Sequence, residues 1–178
     1  HGTGRMPVER VLGEMGIKVV TVPEQRDPDG EFPTVKSPNP EENSAMAMAI
    51  ELGKKEKADL VMGTDPDADR LGVAVPDGDD YRILSGNQLG ALLADYMFLS
   101  LEEFDMMPEN PVLVKTIVTT ELQAKIAQSY GAKVYNTLTG FKYIAEKIRE
   151  FGSTGETYVF GGEESYGYLV GTEVRDKD

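Results

Sequence analysis

Three aspartates, Asp65, Asp67 and Asp69, stand at alternate positions in Gly63-Thr64-Asp65-Pro66-Asp67-Ala68-Asp69-Arg70, directly after an apolar stretch. Charges this dense repel one another, and a flexible tract would spread them apart. A turn stiffened by Pro66 can instead aim all three at one point. Oxygen donors of this kind suit a hard divalent cation such as magnesium or calcium. The calcium loop of helix-loop-helix proteins fails on spacing: counting from Asp65, the sixth residue is Arg70 where glycine is needed, and the twelfth is Pro76 where glutamate is needed. The chain has no cysteine, so thiolate metal sites, disulfides and a Cys nucleophile are excluded. Nucleophilic carboxylate chemistry of the Asp-x-Asp phosphatase type remains open, as does a metal-binding module without catalysis.

A second group lies in Gly161-Gly162-Glu163-Glu164-Ser165-Tyr166-Gly167. Glu163 and Ser165, two residues apart on an extended loop, can point the same way and bind adjacent polar groups of a ligand, while the flanking glycines let backbone approach it. Further polar residues punctuate Thr137-Leu138-Thr139-Gly140-Phe141-Lys142, the end of the apolar run before Lys115, and the opening His1-Gly2-Thr3-Gly4. Ser37 in Lys36-Ser37-Pro38-Asn39-Pro40 is not read as a nucleophile, because proline follows it and the stretch is explained as the start of a helix.

Together these segments resemble the α-D-phosphohexomutase superfamily, the phosphoglucomutases and phosphomannomutases. The Asp-x-Asp-x-Asp-Arg segment is similar to the family's metal signature. The resemblance implies Mg²⁺ on Asp65, Asp67 and Asp69, with Arg70 facing phosphate or sugar. Glu163 and Ser165 match the family's sugar-binding loop, although Tyr166 stands where a glycine often follows the serine. Thr139, Gly140 and Lys142 match a turn placed beside the substrate. Lys115 matches a position of catalytic lysine or arginine, and His1 one that faces the catalytic centre. The implied reaction moves phosphate within a hexose or pentose, between the 1- and 6-positions or the 1- and 5-positions. It uses an enzyme phosphoserine and a bisphosphosugar intermediate, with a glucose 1,6-bisphosphate-type activator. The resemblance covers only domains II and III of four. The expected partners are a phosphosugar and the missing domains I and IV, and the isolated chain is expected to be inactive.

Positioning these residues requires alternating helices and short apolar strands, which favours α/β architecture. A helical apolar face spans Arg5 to Met15, and Lys18 to Val22 reads as a strand. Asn39, Pro40 and Glu42 have the spacing of a capped helix start, with the helix running to about Lys57. Strands are expected at 59–63, 71–75 and 81–84, flanking the acidic loop and a turn at 76–80. Ser85 and Gln88 make a second capping spacing. Helices then fall near 86–99, 120–130 and 141–151, and strands near 112–117, 133–135 and 157–160. The expected fold is two tandem small α/β domains with mixed sheets flanked by helices: residues 1–82 around the metal loop, lacking a first strand, and residues 83–178 around the sugar loop, with a truncated end.

Composition sets outer bounds. With 178 residues, 40% apolar and 28% charged, a packed core is expected. A formal charge of −13 argues against nucleic acid as a partner, since backbone phosphates need a basic surface. It also requires a metal or a local basic cluster wherever an anionic substrate binds. No apolar run reaches the roughly 20 residues of a membrane span, so the expectation is no membrane partner and a cytoplasmic location.

Overall fold

Helix α1 (Arg5–Glu14) follows the His-Gly-Thr-Gly turn, and its apolar side chains Met6 and Val11 stay exposed. A computed structural model describes residues 1–174, 176 and 177, and the chain divides into two units, His1–Leu84 and Ser85–Asp178. The division falls at Ser85, the N-cap of a long helix, two residues beyond the boundary expected at 82/83.

In the first unit, helix α2 (Asn43–Glu56) packs on strands β1 (Val61–Thr64), β2 (Leu71–Asp77) and β3 (Asp80–Ile83). The strands form an antiparallel sheet in the order β1-β2-β3, with Gly63 opposite Gly72. Met46, Val61 and Ala74 are buried together, with Ile50, Tyr81 and Ile83 packed around them. Tyr81 Oη donates to the carbonyls of Gly53 and Ala58 and so ties β3 to the end of α2.

Two expectations fail in this unit. The segment 18–22 is not a strand: its β-branched residues favour extended backbone, but a strand needs a hydrogen-bonded neighbour, and none of the described strands pairs with it. Helix α2 starts at Asn43 rather than at Asn39–Pro40. Asn39 Oδ1 accepts from the N–H of Glu41 at 3.0 Å, two residues on, which closes a local turn in place of a helix cap.

The second unit carries helices α3 (Gly86–Glu103), α4 (Glu121–Ser129) and α5 (Phe141–Thr154). Its strands are β4 (Pro111–Thr116), β5 (Lys133–Thr137), β6 (Thr157–Gly162) and β7 (Tyr168–Val170). The sheet order is β5-β4-β6-β7. Strand β4 is parallel to β5 and β6, and β7 is antiparallel to β6, so this sheet is mixed. The Ser85/Gln88 capping box is formed as its spacing predicts. Every residue of central β4 is buried, as a parallel strand covered on both faces requires. Val112, Val114, Phe141, Ile144, Phe151, Tyr158 and Leu169 make one core, each contributing about 1.5–3 kcal/mol by leaving water. Among the described residues no helix is long and apolar enough to cross a membrane.

Candidate functional site

The acidic loop leaves β1 at Thr64 and returns into β2 at Leu71. One carboxylate oxygen from each of Asp65, Asp67 and Asp69 lies within 4.8 Å of the others. Asp65 is buried, whereas Asp67 is exposed and Asp69 half-buried. The loop holds this shape through its own backbone: Ala68 N–H donates to the Asp65 carbonyl at 3.1 Å, and Ala68 adopts a left-handed φ of 62°. From beneath, Thr3 donates to the Pro66 carbonyl with its backbone N–H at 2.8 Å and its hydroxyl at 3.1 Å. Gly2 permits that approach, since a Cβ there would sit 2.8 Å from Pro66 Cα.

Burial, followed by the neighbouring carboxyls of Asp69 and Asp67, pushes the Asp65 pKa up to about 6, while the N–H of Arg70 at 3.1 Å from Oδ1 pulls it back. Three clustered carboxylates, one of them reluctant to ionise, form a site that a divalent cation would relieve. This oxygen-only donor set fits Mg²⁺. The Arg70 guanidinium lies alongside: Nη1 donates to Glu41 at 3.1 Å, and Nε is 3.6 Å from Asp65 and 3.8 Å from Asp69. That Nε is buried and has no hydrogen-bond acceptor.

His1 borders a cavity of about 460 Å³ whose lining includes Met6, Phe32 and Pro66. Its Nδ1 is 3.0 Å from the Asp27 carbonyl, and its ring meets Phe32 edge-on.

In the second unit, partly buried hydrogen bonds join segments that are distant in sequence. Glu163 is 4% exposed, and its Oε1 accepts from the Gly140 N–H at 2.8 Å. Gly140 has φ 119°, a conformation open to glycine. The Glu163 N–H in turn donates to the Gly167 carbonyl at 2.8 Å, closing the loop that carries half-buried Ser165. Tyr166 holds a left-handed φ of 65°, the conformation that suits glycine and that a bulky side chain adopts only at a cost. Helix α3 lies against this loop at Gly86, where a Cβ would come within 2.7 Å of the Glu164 carbonyl carbon.

Lys115 has no exposed surface. Its Nζ donates to the Thr119 carbonyl at 3.0 Å, to Glu121 at 2.7 Å and, at 3.4 Å, to the Thr116 carbonyl. Lys142 is exposed, with Nζ 4.9 Å above the Tyr143 ring, and Thr139 is exposed as well. Glu164, Thr116, Thr119 and Glu41 are residues that sequence reasoning missed. The Thr116 and Thr119 hydroxyls lie 2.8 Å apart, each 3.1 Å from Glu164 Oε2. They fasten the Glu163–Ser165 loop to the end of β4. A carboxylate immediately after Glu163 was the one available signal.

The family model for phosphoglucomutase/phosphomannomutase alpha/beta/alpha domain II matches residues 1–78, and that for domain III matches residues 85–178. The chain is 41% identical over 184 residues to a phosphopentomutase of Mus musculus, covering 100% of this chain and 30% of that protein. It is 40% identical over 180 residues to a phosphoglucomutase of Staphylococcus epidermidis, covering 100% of this chain and 32% of that protein. The chain thus spans about a third of the length of these relatives. A crystal structure of a phosphoglucomutase/phosphomannomutase family protein from Burkholderia thailandensis shares the fold, with TM-score 0.77 and 23% identity over 99% of this chain and 35% of that one.

Proposed function

Because the chain belongs to the phosphoglucomutase/phosphomannomutase family through domains II and III, we propose that it supplies the magnesium loop and the sugar-recognition loop of a phosphosugar mutase. The observation that carries the reading is the convergence of the Asp65, Asp67 and Asp69 oxygens within 4.8 Å. These three side chains would hold Mg²⁺. A divalent ion held there would supply polarisation and partial neutralisation of a phosphoryl group, which is most of what phosphoryl transfer asks of a protein. Arg70 adds a fixed cation beside it, and its buried Nε–H without an acceptor is a donor suited to a phosphate oxygen.

In the second unit, Glu163 and Ser165 would orient the sugar by its hydroxyls. The backbone bonds to Gly140 and Gly167 hold Glu163 fixed, so its remaining acceptor capacity is preorganised. Two lysines differ in what they suit. Lys115, with its Nζ engaged by two carbonyls and Glu121, fits a fixed positive charge. Exposed Lys142, at the start of α5 two residues after Gly140, fits a proton relay to the sugar hydroxyl. The substrate class is a phosphorylated hexose or pentose, and the whole reaction requires a phosphoserine donor and a phosphate-gripping domain from the rest of the parent protein, with a bisphosphosugar as activator.

The test has two arms. Magnesium titration by calorimetry should detect binding to the chain that Asp67→Asn weakens without unfolding it. Incubation of the chain alone with glucose 1-phosphate, Mg²⁺ and catalytic glucose 1,6-bisphosphate should yield no glucose 6-phosphate at an ordinary enzymatic rate of about 1–10³ s⁻¹. Sustained conversion would refute the division of labour, and steady release of free phosphate would point to an aspartate phosphatase instead.

A further inference from the structure

The turn before α2, read from sequence as a helix start, is built into the wall of the metal loop. Gly63 and Gly72 face each other across β1 and β2, leaving a patch of sheet without side chains. Buried Pro40 lies on it: a Cβ on Gly72 would come within 2.7 Å of Pro40 Cβ and 2.9 Å of its carbonyl oxygen. Asn39 then fixes the next residue, its Oδ1 accepting from the Glu41 N–H at 3.0 Å while its carbonyl accepts from Glu42 at 3.0 Å. The Glu41 carboxylate is thereby delivered to Arg70, 3.1 Å from Nη1.

Arg70 stands between rival carboxylates. Glu41 holds one end of the guanidinium by a hydrogen bond, while Asp65 and Asp69 lie 3.6 and 3.8 Å from Nε, beyond good hydrogen-bond range. Cut loose from Glu41, the guanidinium would be drawn onto those aspartates, because among the described residues Glu41 is the one hydrogen-bond acceptor of its side chain. It would then occupy the oxygens that a cation needs.

We infer that Glu41 is a positioning residue for Arg70: carried by the Asn39-Pro40 turn, which packs on Gly72, it holds the guanidinium beside the acidic cluster and keeps it off the Asp65 and Asp69 oxygens. This rests on the roles given above to Arg70 and to the three aspartates. The Glu41–Arg70 pair is about one-third exposed on each side, so its effect is modest, a factor of about two to five.

The experiment is a double-mutant cycle on the full chain, with Mg²⁺ as the probe in calorimetric titrations of the wild type, Glu41→Ala, Arg70→Ala and the double variant. Glu41→Ala should weaken Mg²⁺ binding about two- to fivefold when Arg70 is present and leave it nearly unchanged when Arg70 is absent. Equal losses in both backgrounds would overturn the inference, since Glu41 would then act only as one more negative charge in the field. A second measurement needs no metal. The Arg70 Nε–Hε resonance, assigned by its loss in Arg70→Lys, should shift in Glu41→Ala and shift less in Glu41→Gln, which keeps an acceptor oxygen. An unmoved resonance would also overturn the inference. Should wild type fail to bind Mg²⁺, the magnesium assignment falls, and the resonance still decides the role of Glu41.

Discussion

Replacing Asp65 by Asn should stabilise the metal-free protein while removing its response to magnesium. Asn keeps the shape of the side chain and an oxygen that can accept the Arg70 N–H at 3.1 Å, so the change is close to a pure loss of charge. The pKa of Asp65 in the folded chain is raised from 3.8 to about 6 by burial and by the carboxyls of Asp69 and Asp67. At about 1.4 kcal/mol per pH unit that difference sets an upper bound near 3 kcal/mol on the cost of ionising it in place. Partial contact of the loop with water reduces the expected gain to about 1–2 kcal/mol. The sign of the pH dependence follows. Above pH 6 the folded wild type carries a charge it disfavours, and the advantage of Asn is complete. Between pH 6 and 3.8 the folded form takes up a proton before the unfolded form does, so the wild type gains stability as pH falls. Below about 3.8 both forms are protonated and the variants converge. Urea unfolding in EDTA at pH 7.5 and at pH 3.5 measures this directly. Saturating Mg²⁺ should then reverse the order at pH 7.5, because a ligand at about 100 times its Kd adds about 2.7 kcal/mol to the wild type alone. An Asn variant no more stable than wild type in EDTA, or one equally favoured at pH 3.5, would refute the electrostatic account of the loop.

Three further outcomes concern the second unit. Gly86→Ala should displace the Glu163–Ser165 loop, since its Cβ would lie 2.7 Å from the Glu164 carbonyl carbon; the check is a raised KM for phosphosugar in the parent enzyme with unchanged Mg²⁺ affinity. Thr119→Val leaves Glu164 Oε2 with one of its two hydroxyl partners and should cost about 1–3 kcal/mol in urea unfolding. Glu163→Gln in the parent enzyme should lower mutase activity and leave calorimetric Mg²⁺ binding intact, whereas a parallel loss of metal binding would make the loop a support for the aspartates.

What could be read from sequence divides along the distance over which each feature is decided. The capping box of Ser85 and Gln88 formed as its spacing predicts because both partners lie in one helical turn. The three aspartates converge because alternation and a proline fix a short loop between two strands that pair with each other. Asn39 and Glu42 carry the same local spacing and still misled, since the Asn39 side chain is satisfied by Glu41 in a turn and the helix starts only at Asn43. A single side chain can choose between two nearby donors, and the choice was made by Pro40 docking on Gly72, 32 positions further along the chain. The same logic hid Glu41, whose partner Arg70 lies 29 residues away, and Glu164, whose hydroxyl donors lie 48 and 45 residues away. Sequence patterns expose side chains that must share one turn or one loop. The residues that hold those side chains in place meet them only after the sheet has set its register, so the groups suited to chemistry were legible and their supports were not.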